Sequence, residues 1–117
     1  MSELKQMIVM RKDLNMRKGK LVAQGAHASM KATLKNFGHP NVAKWLEGKF
    51  TKIAVSVDSE EELFAVMNKA KEAGLIVELI TDAGLTEFNG VATNTCIAVG
   101  PASHEELLPI TGHLKLL

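Results

Sequence analysis

Three separate stretches of the sequence carry side chains suited to stabilising charge and handling water. The first contains the ammonium group of Lys20, the second the carboxylate of Asp82, and the third the hydroxyls of Thr93 and Thr95. A carboxylate that faces a lysine can orient a water molecule or keep that lysine charged. The structural alternatives are a turn at Asp82, bonded to nearby backbone N–H groups, and threonines that merely suit a strand. In a strand, Thr93 and Thr95 would point to the same face, so we expect both or neither to line a site.

The first stretch is strongly cationic. The cationic segment, residues 11–20, has five basic residues and one acid, Asp13. It belongs to a basic half, since residues 1–52 have a net charge of +8 and residues 53–117 a net charge of −7. Such a cluster favours a polyanion, most simply a phosphate backbone, although a solvated loop balanced by nearby acids is the alternative. The five cations are Arg11, Lys12, Arg17, Lys18 and Lys20.

A helix predicted from about Lys20 to Phe37 places polar side chains on one stripe and small ones opposite. Lysine is disfavoured near the positive end of a helix dipole, so Lys20 indicates an anionic partner. His27 has no Ser or Cys nucleophile nearby, and we expect a hydrogen-bonded helix histidine rather than a general base. Within about 60° of one another lie Lys20, Gln24, His27 and Lys31, and opposite them lie Val22, Ala26, Ser29 and Thr33.

Other reactive residue types have no partners at a useful spacing. His39, His104 and His113 show no metal-ligand spacing with acids or cysteine, so no metal site is predicted. Cys96 lies in an apolar run and is predicted to be a small buried hydrophobe. Neither GxxxxGK[ST] nor GxGxxG occurs, which argues against a nucleotide cofactor.

Hydrophobic periodicity and capping residues predict the elements that must position these groups. Ser59 with Glu62, and Ser103 with Glu106, read as capping boxes. The predicted strands are 7–10, 52–57, 75–81 and 95–100, and the predicted helices are 20–37, 41–48, one from Ser59 to Gly74 and a short one after Ser103.

This order predicts an α/β fold, a three-layer α/β/α sandwich with a mixed four-stranded sheet. Alternating strands and helices favour parallel pairing through right-handed crossovers. No helical period separates Asp82 from Asn94, so the last strand is predicted to be antiparallel. Ligands in open α/β sheets bind beyond the carboxyl ends of parallel strands. The cationic segment, Asp82 and the start of the fourth strand all come to that edge, and we expect the site there.

Length and composition favour one domain, residues 1–117, with a mostly aliphatic core. The chain is 46% hydrophobic and 4% aromatic. No apolar run approaches the roughly 18–20 residues of a membrane helix. No secretory signal is expected, and a lone cysteine fits a reducing compartment, so we expect a cytoplasmic protein with no membrane partner.

Three blocks of the sequence resemble the type-2 peptidyl-tRNA hydrolases. Residues 11–28 (RKDLNMRKGKLVAQGAHA) are similar to that family's opening motif. Residues 82–86 and 93–101 resemble its second half, and residues 111–117 its C-terminus. The blocks keep the family's order over nearly the whole chain. One departure is EFNGVA at residues 87–92, which replaces a shorter proline–glycine turn and leaves open whether Thr93 or Thr95 faces the site.

The resemblance implies hydrolysis of the ester that joins a peptide to the 3′ ribose of tRNA, without a cofactor and in a homodimer. By hypothesis Lys20 stabilises the oxyanion or the leaving ribose oxygen, and Asp82 positions or deprotonates water. Threonine hydroxyls would hold water and the carbonyl, and the cationic segment would grip phosphates at the acceptor end. The positions carried over from the family are Lys20, Gln24, His27, Asp82, Thr86 and Thr95.

Two other functions fit parts of the sequence. One is a catalytically silent tRNA- or RNA-binding module on the same fold. The other is a protein-interaction domain that uses an apolar surface around Val42, Trp45 and Leu46.

Overall fold

The computed structural model describes residues 3–85 and 87–117, so Thr86 lies outside the described residues. Along the chain these residues form β1 (Leu4–Arg11), α1 (Lys18–Lys35), α2 (Pro40–Glu47), β2 (Lys52–Val57), α3 (Glu60–Glu72), β3 (Val77–Asp82), β4 (Thr93–Ser103), α4 (His104–Thr111) and β5 (Lys115–Leu116).

The strands form one mixed sheet in the order β3-β4-β1-β2-β5. β1 and β2 are parallel, whereas β4 is antiparallel to both of its neighbours, β3 and β1. The α/β class and the antiparallel β4 are therefore confirmed. The prediction of four strands is wrong, because β5 adds a fifth at the edge, antiparallel to β2. With two residues, β5 is too short to show a hydrophobic pattern.

The sheet separates two hydrophobic clusters. Met7 and Val9 of β1 belong to a cluster that includes α3 and α4 side chains, and Met10 belongs to a cluster that includes α1 and α2 side chains. Successive strand residues point to opposite faces, which explains this division. Val42 and Trp45 are buried. The apolar interaction surface predicted around them is therefore wrong, because their side chains form part of the interior.

Capping residues set the starts of the later helices. Ser103 and Glu106 form the complete capping box predicted for α4. At α3, the Ser59 hydroxyl accepts from the Glu62 N–H, but the Glu62 carboxylate accepts from the N–H of Asp58 rather than of Ser59. The first turn of α1 differs, since it has no acidic residue and Arg17 makes no side-chain cap among the described residues. The positive end of this helix dipole therefore has no acidic side chain of its own first turn beside it, which favours an anion there.

Candidate active site

An ion pair joins the start of α1 to the end of β3. The Lys20 Nζ donates to Asp82 Oδ1 at 2.9 Å, and the two side chains are only 14% and 16% exposed. Lys20 lies in the first turn of α1, and Asp82 is the last residue of β3. The fold therefore places these two predicted residues together at the carboxyl edge of the parallel strands.

Asp82 makes both contacts considered for it in the sequence analysis, one with a lysine and one with the backbone of a turn. Its Oδ1 accepts from Lys20 and, at 3.4 Å, from Gln24 Nε2. Its Oδ2 accepts from the Gly84 N–H at 2.9 Å, which is the turn contact typical of an aspartate after a strand. One carboxylate oxygen thus makes the turn contact and the other contacts Lys20, so the two interpretations of Asp82 do not compete.

These contacts lower the pKa of Asp82. The largest cause is the hydrogen bond from Lys20, and the Gly84 N–H and Gln24 add to it, against desolvation, which raises the pKa. Asp82 is therefore an ionised carboxylate at neutral pH. A carboxylate with a low pKa is a weak proton acceptor, so it is better suited to orienting Lys20 and water than to removing a proton.

A buried relay extends from Asp82 to β4. The Thr95 hydroxyl donates to Gln24 Oε1 at 2.5 Å, and the Gln24 amide donates to Asp82. Thr95 and Gln24 are both buried. Since one amide serves both neighbours, the rotamer of Gln24 is fixed, and Thr95, Gln24 and Asp82 hold one another in position.

A β-bulge turns Thr95 toward α1. Ile80 pairs with Cys96 but Thr81 pairs with Asn94, so Thr95 is the extra residue of β4. Neighbouring strand residues normally face opposite ways, yet the Thr95 hydroxyl and the Cys96 thiol both contact Gln24. An extra residue re-aims side chains in this way.

Thr93 lies further out on the same strand. It is the backbone partner of Asp82, which puts both side chains on one side of the sheet. Its hydroxyl donates to the carbonyl of Val91 at 2.8 Å rather than to Gln24. Thr95 is therefore part of the hydrogen-bonded relay, whereas Thr93 lies opposite Asp82 at the outer end of the relay.

Three of the five predicted cations of the cationic segment are exposed. Lys12, Arg17 and Lys18 are exposed, and Arg17 lies 3.8 Å from Glu87. Arg11 is instead largely buried against Asp13. His27 is exposed and makes no hydrogen bond within the described residues, so the prediction of a hydrogen-bonded histidine is wrong. Its position on the helix turns it outward.

Two nearby residues were not predicted as part of the site. The ring of Phe88 lies 5.8 Å from Lys20 Nζ and covers the ammonium from the side of the β3–β4 connection. Gly84 supplies the N–H to Asp82. The turn after Asp82 could have indicated Gly84, whereas no periodicity marks the position of Phe88 within residues 87–92.

Neither a reactive thiol nor a metal site adds to this arrangement within the described residues. Burial raises the pKa of the Cys96 thiol to about 11, so it is a neutral thiol at physiological pH. Among residues 3–85 and 87–117, no group of three or more His, Cys, Asp or Glu side chains is placed to hold a metal ion. In the same residues, none of the helices combines the length and apolarity needed to cross a membrane.

Comparison with known proteins connects this geometry with one family. The family Peptidyl-tRNA hydrolase PTH2 matches residues 4–117. A peptidyl-tRNA hydrolase of Methanocaldococcus jannaschii is 45% identical over 97% of this chain and 100% of its own length. One from Methanothermobacter thermautotrophicus is 44% identical over 97% of this chain and 100% of its own. A probable peptidyl-tRNA hydrolase 2 of Dictyostelium discoideum is 40% identical over 97% of this chain and 55% of its own length.

Proposed function

This chain belongs to the peptidyl-tRNA hydrolase PTH2 family, and on that premise we propose that the Lys20–Asp82 pair is its catalytic centre. The reaction is hydrolysis of the ester between a peptide and the 3′ end of tRNA. The observation that carries the proposal is the 2.9 Å ion pair at the strand edge. A silent RNA-binding module is not favoured, because the family match spans residues 4–117 and the chain aligns with the full length of relatives named as hydrolases.

The chemistry needs charge stabilisation more than a covalent nucleophile. An ester is an activated acyl compound, so water attacks the carbonyl carbon and negative charge develops on the carbonyl oxygen. The Lys20 ammonium stabilises that charge or the charge on the departing ribose oxygen. The ester C–O bond breaks and the oxygen of the attacking water becomes part of the peptide carboxylate. One of the two water protons leaves on the ribose oxygen as its hydroxyl hydrogen, and the other is released to solvent.

The other groups position these reactants. Asp82 holds the Lys20 ammonium and accepts a hydrogen bond from water, in keeping with its lowered pKa. Thr95 and Gln24 fix the carboxylate through the relay. His27, which is exposed, and Thr93, at the outer end of the relay, contact the acceptor end of the substrate. Thr86, a position carried over from the family, keeps its hypothesised role of holding water or carbonyl.

The phosphates of tRNA bind along the α1 side of the molecule. Lys12, Arg17 and Lys18 are exposed near the start of α1, whose first turn has no acidic residue and favours anions. The first turn of α3 instead carries three glutamates, residues 60–62. We infer that α1 with α2 and α3 with α4 form the outer layers of a three-layer α/β/α sandwich, and that tRNA meets the basic layer. A reaction on tRNA is consistent with a cytoplasmic location.

The activity test is the release of an amino acid from an N-acetylated aminoacyl-tRNA by the purified chain. We expect multiple turnovers by the unaltered protein and loss of turnover in Asp82→Ala, with tRNA binding retained in both. Binding without release in the unaltered protein would favour the silent module instead. Lys35→Ala is the matched control, because this exposed lysine lies at the other end of the same helix.

A homodimer is proposed to cover an apolar groove beside α1. The groove has a volume of about 520 Å³ and lies between α1 and the α1-side face of β2, with Ala54 at its floor. Val22 and Met30 on its wall are 72% and 58% exposed. In a two-fold dimer the same patch lies on both partners, so these protruding side chains would fill the partner's groove. Sedimentation should show a dimer that Val22→Asp converts to a monomer, and a monomeric unaltered protein would contradict the proposal.

A further inference from the structure

Arg11 differs from the exposed cations Lys12, Arg17 and Lys18 because several contacts within the chain already engage its guanidinium. Its Nε and Nη2 donate to the two carboxylate oxygens of Asp13 at 3.2 and 2.7 Å. Its Nη1 donates to the backbone carbonyl of Asn94 at 3.0 Å and lies 3.8 Å from the Glu60 carboxylate. The side chain is only 12% exposed. All three nitrogens have partners and little of the side chain is exposed, so contacts within the chain already balance the charge of Arg11 and leave little of it accessible to a phosphate.

Asn94 is the point at which these contacts meet. Its carbonyl accepts from Arg11, its side-chain oxygen accepts from the Thr81 hydroxyl at 2.6 Å, and its amide donates to Glu60 at 3.2 Å. Arg11, Glu60, Thr81 and Asn94 come from four elements, β1, α3, β3 and β4. One network thus ties together the ends of the strands that surround the site.

This network borders two members of the proposed site. Thr81 precedes Asp82, and Asn94 precedes Thr95, the extra residue of the bulge. Cys96, on the other side of Thr95, is held by its pairing with Met10 of β1. At Asn94 the contact with β1 comes from the Arg11 side chain. β1 therefore contacts β4 on both sides of the bulge.

We propose that Arg11 is a positioning residue for the hydrolysis and not a phosphate contact. Its guanidinium fixes Asn94 so that the bulge presents the Thr95 hydroxyl to Gln24, which in turn holds Asp82 beside Lys20. This inference rests on the proposed function, because it assigns a role in the reaction at that site. Arg11 therefore affects the rate of cleavage, through the side chains of Thr95, Gln24 and Asp82, and not the affinity for tRNA.

The test compares Arg11→Gln, Asp13→Asn and Lys18→Gln with the unaltered protein, by measuring kcat, KM and the salt dependence of KM on N-acetylaminoacyl-tRNA. We expect Arg11→Gln to lower kcat about 10-fold or more, with an unchanged slope of log KM against log salt concentration. Lys18→Gln should raise KM and reduce that slope, since it removes a phosphate contact. Backbone amide shifts of residues 93–96 should change in Arg11→Gln and not in Lys18→Gln.

Asp13→Asn distinguishes the positioning role of Arg11 from a phosphate-binding role, because the two roles predict different changes in kcat and KM. If Arg11 positions β4, loss of its carboxylate partner loosens the guanidinium and lowers kcat. If Arg11 binds phosphate, Asp13→Asn frees it, and KM falls while kcat is unchanged; that result would overturn the proposal, as would a reduced salt slope in Arg11→Gln with normal kcat. Asp13 is about a third exposed, so this variant carries the test even if Arg11→Gln does not fold. Absence of cleavage by the unaltered protein would instead refute the proposed function.

Discussion

At the scale of single residues, the site depends on how one carboxylate divides its two oxygens. Asp82 gives Oδ1 to Lys20 and Gln24, and Oδ2 to the Gly84 N–H. All three partners donate to the charged form, and this lowers the pKa of Asp82. The carboxylate is therefore built into the native structure as an anion, and its charge contributes to the stability of the fold as well as to the proposed chemistry.

The lowered pKa predicts how the stability gained from Asp82 changes with pH. A group whose pKa is depressed on folding stabilises the native state above its unfolded pKa, about 3.9 for aspartate. That contribution is lost as the pH falls through the lower, folded pKa. We expect Asp82→Asn to be less stable than the unaltered protein at pH 5–7, and the difference in the free energy of unfolding to shrink below about pH 4. Urea unfolding at several pH values measures it; a difference that stays constant down to pH 2 would contradict the assigned contacts.

At the scale of elements, the connection between β3 and β4 shapes the site by folding back on itself. Gly84 has a φ of +83°, and a Cβ there would lie 2.2 Å from the Val91 carbonyl oxygen. The Gly90 N–H also donates to the Gly84 carbonyl at 2.7 Å, which closes the loop. The same Gly84 supplies the N–H to Asp82, so the close crossing of the loop and the orientation of the carboxylate depend on one residue.

Gly84→Ala should therefore lower activity through displacement of Asp82. The added methyl group conflicts with backbone atoms, which do not yield as a flexible side chain would, and the positive φ costs about 1–3 kcal/mol for a residue with a Cβ. We expect a reduced cleavage rate together with reduced stability to urea. Gly19→Ala is the control, because a Cβ at Gly19 meets nothing within 4 Å. Normal cleavage by Gly84→Ala would show that the crossing has no effect on the site.

The sequence allowed most of this framework to be predicted, but not its finer geometry. Periodicity and capping residues located the helices, β2 and β4, because these features are local, and the lack of a helix between β3 and β4 predicted that β4 is antiparallel. Pairing within the sheet is not local, so neither the two-residue β5 nor the register shift opposite Thr81 could be predicted. The same limit applies to Arg11. Its positive charge predicts an anionic partner, but the sequence does not show that this partner is Asp13.

At the scale of the whole molecule, the charges are divided between its two sides. The α1 side exposes Lys12, Arg17 and Lys18 near the start of α1, whose first turn has no acidic residue, whereas α3 begins with three glutamates. We propose that this division lets a chain with a net charge of only +1 bind a polyanion.

The division predicts that the salt dependence of tRNA binding comes from the α1 side alone. Removing one phosphate contact reduces the slope of log affinity against log salt concentration by about one. We expect this reduction for Arg17→Gln and no reduction for Lys71→Gln, an exposed lysine near the end of α3. Titrations of deacylated tRNA at several salt concentrations measure both. Equal slopes for the two variants would place the tRNA elsewhere on the molecule.

The most direct test of the central claim is a double-mutant cycle on the cleavage of N-acetylaminoacyl-tRNA under single-turnover conditions. The claim is that Lys20 and Asp82 act as one catalytic unit, so Lys20→Ala should lower the rate by about 10²–10³-fold. Adding Asp82→Asn to Lys20→Ala should then cost little more, because residues that act as a unit are strongly non-additive. An unchanged rate for Lys20→Ala, or losses that multiply in the double variant, would contradict it.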